Sequence, residues 1–274
     1  MKKTLRPFLL WISVPLCIVL AATGLQVFWP GIYWREKPVS VAGGMASDLV
    51  DLCLVLPTLV VTTILARRGS LGALLIWTGT LGFLTYNFVI YGFAVHFNAM
   101  FLAYCAVLGL SFYGLMGMRE FLATDEVAKT YSAGAPRRSM ALAFILLVVF
   151  AATGELKEIV AAIRAGQIPP SAAEFTNPIH VLDLSFLLPA LVIAAVLLLR
   201  RNEIGFTLAP VLSVVLIWIS LEVITIVVVL VRRELASDFS PAVSFAVAGA
   251  LVAVLLGWYL YPKRKRAEQA TVHQ

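Results

Sequence analysis

The chain has 274 residues, 61% hydrophobic and 13% charged, with a mean hydropathy of +0.94 and a net charge of +6. A soluble globular chain is about 45–50% apolar and about 25% charged, so composition excludes an ordinary soluble domain and points to several spanning segments of roughly 20 residues. The apolar runs are continuous rather than alternating, which favours an all-α integral membrane protein over a barrel.

Eight apolar segments follow in chain order: 8–29, 46–66, 71–95, 98–118, 139–158, 179–199, 206–231 and 241–261. The first resembles a signal peptide but exceeds an h-region of about 7–15 residues, so it reads as a retained span. Cys17, Cys53 and Cys105 sit inside apolar runs without a C-x-x-C and read as buried small hydrophobes. Polar or turn-forming breaks separate the segments, the longest being the linker 119–138, and the tail 263–274 is basic. With the amino terminus in the cytoplasm, inside segments hold 15 Lys and Arg and outside segments 6. That asymmetry predicts both termini cytoplasmic. It assigns the positive charge to anionic lipid and excludes a nucleic-acid partner. Trp29, Tyr33, Trp34, Trp258, Tyr259 and Tyr261 are expected at the membrane interfaces.

The chain also repeats itself. "LAATG" at 20–24 is answered by "FAATG" at 150–154, "DLCLVLP" at 51–57 by "DLSFLLP" at 183–189, and "LARRGSLG" at 65–72 by "LRRNEIG" at 199–205. The order is kept at nearly one offset, so two parallel four-helix repeats are expected, 1–118 and 139–262. Asp51 and Asp183 become equivalent, each about 24–26 Å from the arginines ending its segment at a rise of about 1.5 Å per residue. Asp48 stands opposite His180, one turn earlier, and Pro57 and Pro189 follow to kink their helices. Two roles are open to the aspartates: an outward-facing acidic site where the repeats meet, or simple capping of helix ends.

Other polar residues join the candidates. Asn87 and Tyr91 share one helix face, and His96 and Asn98 lie at the adjoining turn. Glu222 is the deepest acid, flanked by Ser213, Ser220 and Thr225, and is a proton or cation site by default. Glu155 and Glu158 break the repeat, replacing Leu25 and Phe28, and read as solvating a helix end.

The run Tyr86-Asn87, Tyr91, Phe97-Asn98, Phe101-Leu102 and Tyr104, with "DLVDLCLVLP", resembles uncharacterised bacterial polytopic inner-membrane proteins. The resemblance covers the second to fourth segments and implies a bacterial inner-membrane location without an activity. No H-E-x-x-H, G-x-S-x-G or Walker loop is present, and no cofactor is named by the residues. The leading expectation is a small-solute or ion transporter rather than an enzyme, with the lipid bilayer and a small solute or cation as partners. Two alternatives stand beside it. One is a membrane-embedded metal-dependent enzyme using Asp48, Asp51, His180 and Asp183 as ligands, and the other is a non-catalytic subunit or sensor.

Overall fold

The computed structural model describes residues 10–118, 125–169, 171 and 176–261. The chain start, part of the linker and the basic tail lie outside the described residues. All regular elements within them are helices: α1 Ser13–Gly24, α2 Pro38–Arg67, α3 Leu71–Ala94, α4 Phe101–Gly117, the short α5 Glu126–Tyr131, α6 Arg137–Ala165, α7 Pro178–Leu199, α8 Glu203–Arg232 and α9 Ser240–Leu260. Six of them (α2, α3, α6, α7, α8 and α9) are long and apolar enough to cross a membrane. Two shorter apolar helices, Ser13–Phe28 and Phe101–Gly117, accompany them.

Local chemistry sets the ends. Pro38 and Pro178 occupy first turns, where a missing N–H costs nothing, and Asn177 accepts from the Ile179 N–H at 2.9 Å. Both α2 and α7 widen to a π-helical turn, over Asp51–Val55 and Asp183–Leu187. In each, the N–H before the proline reaches back five residues, from Leu56 to Asp51 and from Leu188 to Asp183. An α-helical proline would clash with the carbonyl four residues earlier, and the wider turn relieves that contact. In both helices the proline is thus accommodated by a π-turn that begins at the aspartate.

The α2–α3 and α7–α8 hairpins close alike. Ser70 N–H bonds to Leu65 O and Asn202 N–H to Leu197 O, after Gly69 (φ +92°) and Arg201 (φ +56°). A left-handed backbone suits glycine and strains arginine. Arg201→Gly should therefore keep or raise stability by up to about 1 kcal/mol, whereas Gly69→Ala should lower it by about 1 kcal/mol. Thermal unfolding in detergent checks both, and a clear loss in Arg201→Gly would contradict the reading.

Packing repeats as well. α1 packs on α2 and α4, α2 on α3, and α3 on α4; α6 packs on α7 and α9, α7 on α8, and α8 on α9. Between the sets, α8 meets α2 and α3, and α7 meets α3. The centre of the molecule is α3, with 67% of its apolar stretch buried against 22% for α6 and α9. Leu142, Leu146, Val149 and Phe150 on α6 face outward, as a lipid-contacting helix requires. Cys53 and Cys105 are also exposed rather than buried, a correction with the same cause. In a bilayer the outer surface can be as apolar as the core.

The aromatic assignments are corrected in part. Trp29, Trp34 and Trp258 are exposed, and the Arg35 guanidinium lies 4.4 Å from the Trp34 ring. Tyr33 and Tyr259 are buried instead, each because its hydroxyl has an inward acceptor, Asp48 for Tyr33 and the Phe206 carbonyl for Tyr259.

Candidate functional site

Asp48 and Asp51 lie within α2, not at its end, because the helix begins at Pro38 rather than near residue 46. Asp183 likewise follows the cap Asn177, so neither aspartate caps a helix. One turn apart, Asp48 and Asp51 both point inward and are 1% exposed. Their surroundings differ sharply.

Asp48 is fully answered. Its Oδ1 accepts from Gln26 Nε2 at 2.6 Å and from the Tyr91 hydroxyl at 2.7 Å, and its Oδ2 accepts from the Tyr33 hydroxyl at 2.8 Å. The Tyr104 hydroxyl donates to Gln26 Oε1 at 2.7 Å and fixes the amide. Burial, with the Asp48 carboxylate beside it, holds the Tyr33 hydroxyl well above its ordinary range, so it remains a donor. Tyr91 and Tyr104 rings meet at 5.0 Å, closing the cage. Gln26, Tyr33 and Tyr104 are its unforeseen members.

Asp51 is not answered. Its Oδ1 is buried without a hydrogen-bond partner. Among the described residues, the charged groups acting on it are both acids, Glu222 on α8 and Asp48. The Ser47 hydroxyl and the Asn87 amide face the Glu222 carboxylate. Asn87 stops short of a hydrogen bond, for its Nδ2 is also buried and unpartnered. Glu222 is 8% exposed and Asn87 2%. Thus α2, α3 and α8 bring Asp51, Asn87 and Glu222 into one enclosed polar group. The site expected to face outward is buried in this structure, with Asp51 1%, Asn87 2% and Glu222 8% exposed.

The second aspartate belongs to another group. The Tyr86 hydroxyl donates to Asp183 Oδ1 at 2.9 Å, and the Glu155 carboxyl lies against Asp183 with Oε2 buried and unpartnered. His180 Nε2 stands 4.0 Å from Glu158, whose Oε1 accepts from Ser171 N–H. Glu155 is thus drawn inward to Asp183 rather than solvating a helix end, whereas Glu158 stays partly exposed in the last turns of α6, which runs on to Ala165. Asp48 and His180, matched in sequence, sit in separate groups flanking α3. The four side chains considered as a metal set are divided accordingly. Among the described residues, no group of three or more His, Cys, Asp or Glu is placed to hold a metal ion.

His96 and Asn98 lie apart from both groups. His96 meets Glu36 Oε1 through its backbone N–H at 2.7 Å and its Nδ1 at 2.8 Å, tying the α3–α4 turn to the segment before α2. Asn98 accepts from Met100 N–H at the start of α4 and reaches the Tyr104 hydroxyl at 3.4 Å. Through Tyr104, Asn98 supports the Asp48 cage from outside.

Comparison with family models, with curated proteins and with solved structures finds no match for this chain.

Proposed function

We propose that the chain is a multi-pass carrier of a small solute or ion, with its binding site in the Asp51, Asn87 and Glu222 group. The proposed arrangement has eight spans in two parallel repeats, 1–118 and 139–262, joined by the cytoplasmic linker 119–138. Both termini are cytoplasmic in a bacterial inner membrane, with 263–274 as a basic tail. The shared π-turns, the matching hairpin closures and the recurring helix neighbours support the duplication. Duplicated halves around a buried polar centre suit alternating access.

The observation that carries the reading is the unpartnered Asp51 oxygen beside Glu222. A structural acid looks like Asp48, with donors on both oxygens. An acid deep in a membrane protein costs a few kcal/mol, and an unanswered one is retained where something else answers it. The buried geometry corresponds to a closed state of the carrier.

The test is uptake into proteoliposomes holding the wild type or Glu222→Gln, screened over small cations, amines and neutral solutes. Gln keeps the shape and loses the charge, so initial uptake should fall about tenfold or more at equal protein content. A wild type that accumulates none of the solutes, or a Glu222→Gln variant that matches it, would overturn the carrier reading.

A further inference from the structure

We infer that the Asp51–Glu222 pair carries one exchangeable proton, and that this proton is the coupling ion of transport. The inference rests on the carrier reading and names its driving ion. Its basis is the burial of two carboxyl groups with few further ligands beside them. A metal cation needs several oxygen ligands turned inward. The Asp48 carboxylate is taken up by Gln26, Tyr33 and Tyr91. Among the described residues, no group of three or more His, Cys, Asp or Glu is placed to hold a metal ion. Asp51 and Glu222 are 1% and 8% exposed, and Asp51 Oδ1 has no hydrogen-bond partner. One proton lowers the charge of such a pair without calling for further ligands.

The titratable and charged groups facing Asp51 come from each packed element. α2 supplies Asp48, α3 supplies Tyr91, and α8 supplies Glu222; Glu222 is in turn faced by Asp48 and by Tyr86 of α3, whose hydroxyl donates to Asp183 in the neighbouring group with Glu155. Tyr33, from the segment before α2, and the neutral Gln26 amide reach this region through Asp48. Two carboxyl groups in one dry enclosure cannot both stay charged without a counter-ion. The step is simple: a carboxylate oxygen of the pair takes a proton from hydronium, forming one O–H bond and releasing water. When the opposite face opens, the acid returns that proton to water. Only the O–H bond forms and breaks. Asn87 is a positioning residue: its unpartnered Nδ2 faces the Glu222 carboxylate and is free to donate to it.

The test is infrared difference spectroscopy on the purified full chain in detergent, titrated first with acid at fixed salt and then with sodium or potassium chloride at fixed pH. The proposal expects a protonated-carboxyl stretch that answers to pH alone and disappears in both Asp51→Asn and Glu222→Gln. In Asn87→Leu the band should persist and its midpoint pH should move. A band that sodium or potassium removes at fixed pH, one that persists in both acid variants, or none at any pH, would overturn it. Uptake separates this from the carrier reading. Solute accumulation driven by a sodium gradient and indifferent to a proton gradient leaves the carrier standing and removes the proton. A pH-dependent band with no solute moved by wild type keeps the proton on the pair but removes the carrier and, with it, the coupling role.

Discussion

Asp48→Leu should leave little folded protein in the membrane. The substitution removes the acceptor for Gln26 Nε2 and for the Tyr33 and Tyr91 hydroxyls, all buried. A buried donor left unpaired costs about 1–3 kcal/mol in soluble proteins, and hydrogen bonds between membrane helices average about 0.6 kcal/mol. The Tyr91 hydroxyl keeps the Gly44 carbonyl at 3.3 Å, so two donors are orphaned outright, at a cost of at least about 1 kcal/mol. The damage is not local, because Gln26 is on the α1 side, Tyr33 in the following segment and Tyr91 on α3. Asp48→Asn should be milder, at about 1 kcal/mol, since one oxygen still accepts and only the amide meets a donor. Membrane abundance and thermal unfolding in detergent report both variants. Equal stability of Asp48→Leu and wild type would mean the cage is not formed.

Gly79→Ala should be nearly as damaging, by a different cause. A β-carbon there would stand 2.5 Å from Val214 Cβ and 2.6 Å from the Val211 carbonyl oxygen on α8. Backbone cannot rotate away, so α3 and α8 must separate. The cost belongs at the upper end of overpacking, about 3 kcal/mol. The same separation would displace Glu222, two turns along α8, from Asn87. Gly92→Ala is the control. Nothing lies within 4 Å of its added carbon, so it should be neutral or stabilise by up to about 1 kcal/mol through helix propensity. Matched unfolding curves for Gly79→Ala and Gly92→Ala would contradict the α3–α8 contact.

The apolar segments were legible because continuous hydrophobicity reports a spanning helix without reference to any other part of the chain. Helix ends were less so. Gly43, Gly44 and Ser47 dilute hydropathy before Asp48, so the start at Pro38 was missed, although proline in a first turn is a start signal. Glu155, Lys157 and Glu158 dilute it again, yet α6 continues, because backbone hydrogen bonds do not require apolar side chains. Asp51, Asn87 and Glu222 were legible singly as polar residues in apolar runs. Their meeting was not, since it depends on how α2, α3 and α8 pack. Gln26 and Tyr104 are 78 positions apart and meet at Asp48, which no local period reports. Tyr33 shows the sharpest limit. A tyrosine near a helix end serves the lipid interface or an inner acceptor equally well. What selects the inner role is Gly44, whose missing side chain leaves room for the ring; a β-carbon there would come within 2.9 Å of it.

Two aspartates one turn apart on α2 are given different roles: Asp48 in holding the fold, and Asp51 in the proposed binding site. The most direct measurement is solute uptake per folded molecule for Asp48→Asn and Asp51→Asn, with folded protein counted by size-exclusion chromatography in detergent. Asp51→Asn should fold at the wild-type level, because its Oδ1 loses no bond, and should lose uptake by about tenfold or more. Asp48→Asn should yield less folded protein, with each folded molecule still transporting. Full uptake by folded Asp51→Asn would contradict a binding role for Asp51.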